Sequence, residues 1–106
     1  MIKVLIADDH ALFRDGLKRI FSEIEDIDVV GEAVDGKDIL KKVRECDWDI
    51  ALLDINLPDI NGLDILKRIL SVNSASRILV LSMYPEEEYA IRAIRSGASG
   101  YLTKDS

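Results

Sequence analysis

The sequence predicts an α/β domain in which a parallel β-sheet is covered by helices on both faces. Short apolar runs alternate with amphipathic stretches of helical period along the chain, the pattern of successive βα units. The runs are apolar throughout rather than alternately polar, as strands buried on both faces require. At 106 residues the chain has the size of one domain. Its 48% hydrophobic residues supply a core, and its 32% charged residues a hydrated surface.

The first run is Ile2-Lys3-Val4-Leu5-Ile6-Ala7. Leu12, Gly16, Leu17, Ile20, Phe21 and Ile24 come next at helical spacing and predict the apolar stripe of a first helix. Val29-Val30-Gly31-Glu32-Ala33 reads as a second, poorer strand, and Ile39, Leu40 and Val43 share one face of a second helix. Ile50-Ala51-Leu52-Leu53 is the third run, succeeded by a helical stripe of Leu63, Leu66, Ile69 and Leu70. Ile78-Leu79-Val80-Leu81 is the fourth. Pro85-Glu86-Glu87-Glu88 then opens a helix, since Pro suits the first turn and acids suit the positive end of the dipole. Arg92 and Arg95 lie toward its other end, and Tyr101-Leu102-Thr103 is a last short strand. Trp48 and Phe13 read as packing residues. His10 reads as a helix-start residue with little support for a metal role, because the chain has one histidine.

The net charge of -6 disfavours gripping a nucleic-acid backbone, which takes clustered Lys and Arg, and suits a protein partner or a bound cation. The single cysteine, Cys46, cannot form an internal disulfide and is compatible with a reducing compartment. No apolar run approaches the ~20 residues needed to span a bilayer. The amino terminus enters a strand at once and does not read as a signal peptide, so the expectation is a cytoplasmic protein without membrane contact.

In parallel sheets of this class, ligands bind beyond the carboxyl ends of the strands. The first run ends in Asp8-Asp9, the third in Asp54, the fourth in Ser82 and the fifth in Thr103-Lys104. One rim thus gathers three carboxylates, a hydroxyl and an ammonium. Three close carboxylates repel one another unless a cation is added, and Mg2+ is a hard ion that takes oxygen ligands while keeping several waters. Asp8, Asp9 and Asp54, with the backbone carbonyl of Asn56, could hold it. A carboxylate can attack phosphorus to give an acyl phosphate, with Lys104 and the Ser82 hydroxyl stabilising the transferred charge. Taken singly, each residue has an ordinary use: Asp8-Asp9 as a helix cap, Asp54 in a turn, Lys104 and Ser82 in contact with solvent. The joint arrangement is what points to chemistry.

At these residues the sequence resembles the receiver domain of bacterial two-component response regulators. The matching segments are Leu5-Ile6-Ala7-Asp8-Asp9, the stretch from Leu52 through Asp54 and Pro58 to Gly62, Val80-Leu81-Ser82, and Gly100-Tyr101-Leu102-Thr103-Lys104. The resemblance implies a flavodoxin-like, doubly wound sheet of five parallel strands in the order 2-1-3-4-5, in three α/β/α layers. Residues 1–106 would form one receiver domain, with the family's fifth helix beyond Ser106. Asp54 would be phosphorylated, and Asp8, Asp9, Asp54 and the Asn56 carbonyl would hold Mg2+. Ser82 and Lys104 would contact the phosphoryl group, Tyr101 would be the switch aromatic, and Asn56, Met83 and Tyr84 would tune phosphoryl lifetime. The donor would be a sensor histidine kinase or a small acyl phosphate. The domain would act as an acceptor that assists its own phosphorylation and dephosphorylation, not as an enzyme.

Asp8-Asp9-His10-Ala11-Leu12-Phe13-Arg14-Asp15-Gly16-Leu17 and the stretch from Gly97 to Asp105 resemble the NarL/FixJ-type subfamily most. There a helix-turn-helix DNA-binding domain comes after the receiver, so contact with DNA is expected only through such a domain, which these residues do not include. Two features depart from the family pattern. Asp105 stands after Lys104 where many members have Pro and a cis peptide, and a cis bond before a non-proline residue costs ~2.5–4 kcal/mol. Met83 stands after Ser82 where many members have a small residue, and its bulk crowds the approach to Asp54. The competing readings are a Mg2+-dependent phosphatase with an Asp nucleophile and an interaction module independent of phosphorylation. Without a fifth helix, the first and last strands should be partly uncovered beside the first helix, which predicts a dimer or a domain-swapped oligomer.

Overall fold

A computed structural model describes residues 1–83 and 87–104. Its elements are β1 (Ile2–Ala7), α1 (Ala11–Ser22), β2 (Ile27–Ala33), α2 (Gly36–Glu45), β3 (Ile50–Asp54), α3 (Gly62–Val72), β4 (Arg77–Ser82), α4 (Glu87–Arg95) and β5 (Gly100–Thr103). Neighbouring strands are parallel and lie in the order β2-β1-β3-β4-β5. This is the expected flavodoxin-like sheet. The chain moves from β1 to one side for β2 and to the other for β3, so the crevice between β1 and β3 is the switch point where ligands bind in such sheets. β2 begins two residues before the expected run because Ile27 and Asp28 pair with Ile2 and Lys3. Sheet pairing likewise extends β3 to Asp54 and β4 to Arg77 and Ser82.

Alternate residues of each strand face opposite layers. On one side Leu5, Ala7, Leu53, Ile78 and Val80 meet Ile39 of α2, Leu63, Ile65, Leu66 and Ile69 of α3, and Ala93 of α4. On the other, Val4, Ile6, Leu52 and Leu81 meet Phe13, Leu17 and Phe21 of α1. Phe13 and Trp48 pack as expected.

The predicted stripe of α1 is corrected in part. Phe13, Leu17 and Phe21, spaced by four, face the sheet, whereas Leu12 is 88% exposed and Ile20 57%. The helix carries apolar residues on two faces, and periodicity alone does not say which of the two is turned inward. In α3 the stripe also includes Ile65. The expected gap beside α1 is half right. Val4 and Ile6 of β1 are buried beneath α1, while Leu102 of β5 is 49% exposed.

Pro85 and Glu86, expected to open the fourth helix, lie outside the described residues, as do Tyr84 and the peptide after Lys104. Among the described residues no peptide bond is cis, and no helix is long and apolar enough to cross a membrane.

Candidate functional site

Register brings the strand ends to one level. Ala7 pairs with Leu53, Asp54 with Leu81, and Ser82 with Thr103, so Asp8, Asp54, Ser82 and Lys104 reach the same rim. Asp8, Asp54 and Ser82 are buried. The Lys104 ammonium lies 2.5 Å from Asp8 Oδ2 and 3.0 Å from Asp54 Oδ2, with its side chain only 4% exposed. It also stands 4.7 Å above the Phe13 ring, so Phe13 serves the site as well as the core. Two of the strand-end carboxylates, Asp8 and Asp54, are each fixed by a local turn. Asp8 Oδ1 accepts the His10 N–H at 2.7 Å, and Asp54 Oδ1 accepts the Asn56 N–H at 2.9 Å. These are Asx turns, which Asp favours where a strand must end and turn. Asp8 therefore does not cap α1; His10 is the N-cap. The Lys104 N–H donates to the Ser82 carbonyl at 2.7 Å, which keeps the last strand in line with β4 up to the rim.

A second layer of contacts holds the rim. The Arg14 guanidinium donates to the Asp8 carbonyl at 2.7 Å and to Glu32 at 3.2 Å, and Lys18 donates to Glu32 at 3.0 Å. The Glu32 hydrogen bond holds the Lys18 ammonium above its usual pKa. Beyond Asp54, the Asp59 carboxylate accepts the Gly36 N–H at 2.6 Å and the Lys37 N–H at 3.1 Å, tying the loop after β3 to the start of α2. The Gly36 hydrogen bond is the main cause that holds the Asp59 carboxyl below its ordinary range. Gly62 donates to the Ile55 carbonyl at 3.1 Å, and a Cβ at this position would meet Ile55 Cα at 2.4 Å. Only glycine allows the loop to close there.

One ligand atom each from Asp8, Asp9, His10 and Asp54 lies within 4.8 Å of the other three. Asp8 Oδ2 is buried and accepts no hydrogen bond; the Lys104 contact at 2.5 Å is an ion contact outside hydrogen-bonding geometry. Three converging carboxylates that share a single ammonium fit a hard divalent cation, which takes oxygen ligands. Of the remaining predicted residues, Asn56 is exposed next to Asp54, Met83 is exposed after β4, and Tyr101 is half-buried against the larger core cluster. A cavity of about 520 Å3 opens elsewhere, lined by Val43, Trp48, Ile69 and Arg77. It holds none of the rim residues, and the converging carboxylates, not the size of a cavity, mark the site.

The sequence matches the response regulator receiver domain over residues 4–106. It is 39% identical over 104 residues to the response regulator GacA of Pseudomonas aeruginosa, covering 98% of this chain and 49% of that protein. It is 40% identical over 102 residues to the nitrate/nitrite response regulator protein NarL of Escherichia coli, covering 96% of this chain and 47% of that one. The chain thus spans about half the length of these relatives. Among solved structures, a LuxR-family two-component response regulator from Aurantimonas sp. SI85-9A1 superposes with a TM-score of 0.93 at 34% identity, covering 98% of this chain and 74% of that one. Fold, rim and these likenesses agree: this chain belongs to the response regulator receiver domain family.

Proposed function

We propose that this domain accepts a phosphoryl group on Asp54 and thereby switches an output domain carried by the full-length protein. The observation that carries the reading is a fully buried carboxylate ending a central strand, with Lys104 at 3.0 Å and three further side chains around it that could hold a metal ion. The donor is a phosphohistidine of a cytoplasmic sensor histidine kinase, or a small acyl phosphate. An Asp54 carboxylate oxygen attacks phosphorus in line with the leaving group. A P–O bond to Asp54 forms as the P–N bond of phosphohistidine, or the P–O bond of the acyl phosphate, breaks.

Asp8, Asp9, Asp54 and the Asn56 carbonyl would hold Mg2+, which when bound neutralises charge between the carboxylates and the incoming phosphoryl oxygens. Lys104 exchanges its carboxylate partners for a phosphoryl oxygen, and the Ser82 hydroxyl donates to another. Movement of Ser82 toward the phosphoryl group draws Tyr101 inward, which changes the surface formed by β4 and β5. Asn56 and Met83, exposed just beyond Asp54 and Ser82, set its hydrolysis rate by controlling the approach of water, and Tyr84 tunes the same rate.

The output is transcription control through a helix-turn-helix domain that binds DNA, in keeping with relatives twice this length that are named as regulators. Intact mass after incubation with acetyl phosphate and Mg2+ tests the acceptor role. One phosphoryl adduct is expected, lost on adding chelator and absent in Asp54→Asn. An equal adduct on that variant would remove Asp54 from the role, and no adduct on the natural chain would favour an interaction module that works without phosphorylation.

A further inference from the structure

We infer that His10 is a nitrogen ligand of the rim, and that it tilts the site's preference toward later first-row cations such as Ni2+. The inference rests on the proposed cation site and deepens it. His10 Nδ1 lies 2.9 Å from Asp8 Oδ1, 3.3 Å from Asp9 Oδ1 and 3.8 Å from Asp54 Oδ2. It is thus close to all three proposed carboxylate ligands. No two donor atoms of the set are more than 4.8 Å apart. Donors opposite each other at ~2.1 Å from one ion stand ~4.2 Å apart, so the set needs to contract by only roughly 0.6 Å.

The contacts of Nδ1 conflict with one another. Asp8 Oδ1 offers it only an acceptor, while the Lys104 ammonium, 3.2 Å away, offers only a donor. One ring nitrogen either carries a proton or presents a lone pair, so it cannot satisfy both. A cation among these atoms resolves the conflict, because Nδ1 and the carboxylates then all present lone pairs to it. On the same rim the buried Asp8 Oδ2 meets only the Lys104 ammonium at 2.5 Å, so one lysine cation is shared among Asp8, Asp54 and His10. The ring is not spent on helix capping: His10 is the N-cap of α1, yet its side chain makes no capping hydrogen bond. Its backbone N–H is fastened to Asp8 Oδ1, which keeps the ring on the same turn as the ligands. The ring is 52% exposed, so a cation arriving from solvent reaches it without rearrangement of the core.

The donor set determines the class of ion. Three carboxylates and a carbonyl suit Mg2+, Ca2+ and Mn2+, whereas an added imidazole nitrogen favours later members of the first row. His10 should therefore raise Ni2+ affinity on the order of tenfold or more, and Mg2+ affinity by a smaller factor.

The test uses the untagged chain, in which His10 is the single histidine. Pulsed EPR of bound Mn2+ should show 14N coupling from a directly bound imidazole, absent in His10→Ala and in His10→Gln. Calorimetry should show Ni2+ affinity falling about tenfold or more in both variants, and by a larger factor than Mg2+ affinity. Mn2+ bound without imidazole coupling, or Ni2+ affinity indifferent to both substitutions, would overturn the assignment. Parallel phosphorylation by acetyl phosphate in Mg2+ separates the two readings. An Asp54 adduct without 14N coupling leaves the acceptor role standing and removes His10. Coupling without an adduct does the reverse, and no bound Mn2+ removes both the His10 assignment and the cation site.

Discussion

Replacing Lys104 with methionine removes the cation that lies against two buried carboxylates while keeping much of the side-chain volume. The ammonium stands 2.5 Å from Asp8 Oδ2 and 3.0 Å from Asp54 Oδ2, and both carboxylates are fully buried. At ~3 Å and an effective dielectric of ~20, one unit-charge pair is worth ~5.5 kcal/mol before desolvation is subtracted. Breaking a buried pair by removing one partner costs about 3–5 kcal/mol, because the charge left behind stays buried. Loss of the contact over the Phe13 ring adds roughly 0.5–1 kcal/mol. Urea unfolding at pH 7 in chelator should therefore show Lys104→Met less stable by ~3–5 kcal/mol, a large part of the ~5–15 kcal/mol typical of a domain. Mg2+ should restore more stability to the variant than to the natural chain, since binding to the natural chain must first draw Lys104 away from the carboxylates. Lys104→Arg, which keeps the charge, should lose less. If Lys104→Met unfolds at the same urea concentration as the natural chain in chelator, the ammonium carries no net stabilisation at the rim and the electrostatic account fails.

Gly62→Ala should destabilise the domain by ~1–3 kcal/mol or more, because the new Cβ meets Ile55 Cα at 2.4 Å and backbone must move; an unchanged thermal midpoint would mean that the loop closes differently. The Asp59 carboxyl has a folded pKa below its unfolded value, so its contribution is present above the unfolded pKa and is lost as pH falls through the folded one. The stability gap between the natural chain and Asp59→Ala should accordingly be open at neutral pH and close in acid below pH ~4, whereas a gap that persists at pH ~2 would assign it to something other than the carboxylate. Leu12 and Leu102, both exposed, predict that these 106 residues self-associate on the side of α1 and β5, which light scattering over a dilution series would detect; a strict monomer at high concentration would contradict it.

Much of the fold is legible in the sequence because apolar runs and helical stripes leave a local signature. Strand order is reached only through the resemblance, since nothing local distinguishes one parallel order from another. The inward face of α1 is ambiguous because Leu12 and Ile20 lie within the same helical pattern as Phe13, Leu17 and Phe21. The rim residues are legible from their place at the carboxyl end of each apolar run, a signal that depends on topology rather than on distance. That signal does not reach Arg14, which holds the Asp8 carbonyl from the first turns of a helix, or Asp59, which grips backbone N–H groups more than 20 positions earlier in the chain. Nor does it reach His10. A single histidine leaves no paired metal-site spacing in the sequence, and its closeness to Asp54 and Lys104 arises only when β1, β3 and β5 are assembled in one sheet.

Asp54, and no other carboxylate of the rim, is the proposed acceptor of the phosphoryl group. Borohydride reduces an aspartyl phosphate to homoserine, so the acceptor can be located by tandem mass spectrometry after treatment with acetyl phosphate and Mg2+. Homoserine at position 54 alone, and none when the phosphodonor is omitted, is the predicted result. Homoserine at Asp8 or Asp9, or a phosphoryl adduct that yields none at Asp54, would contradict it.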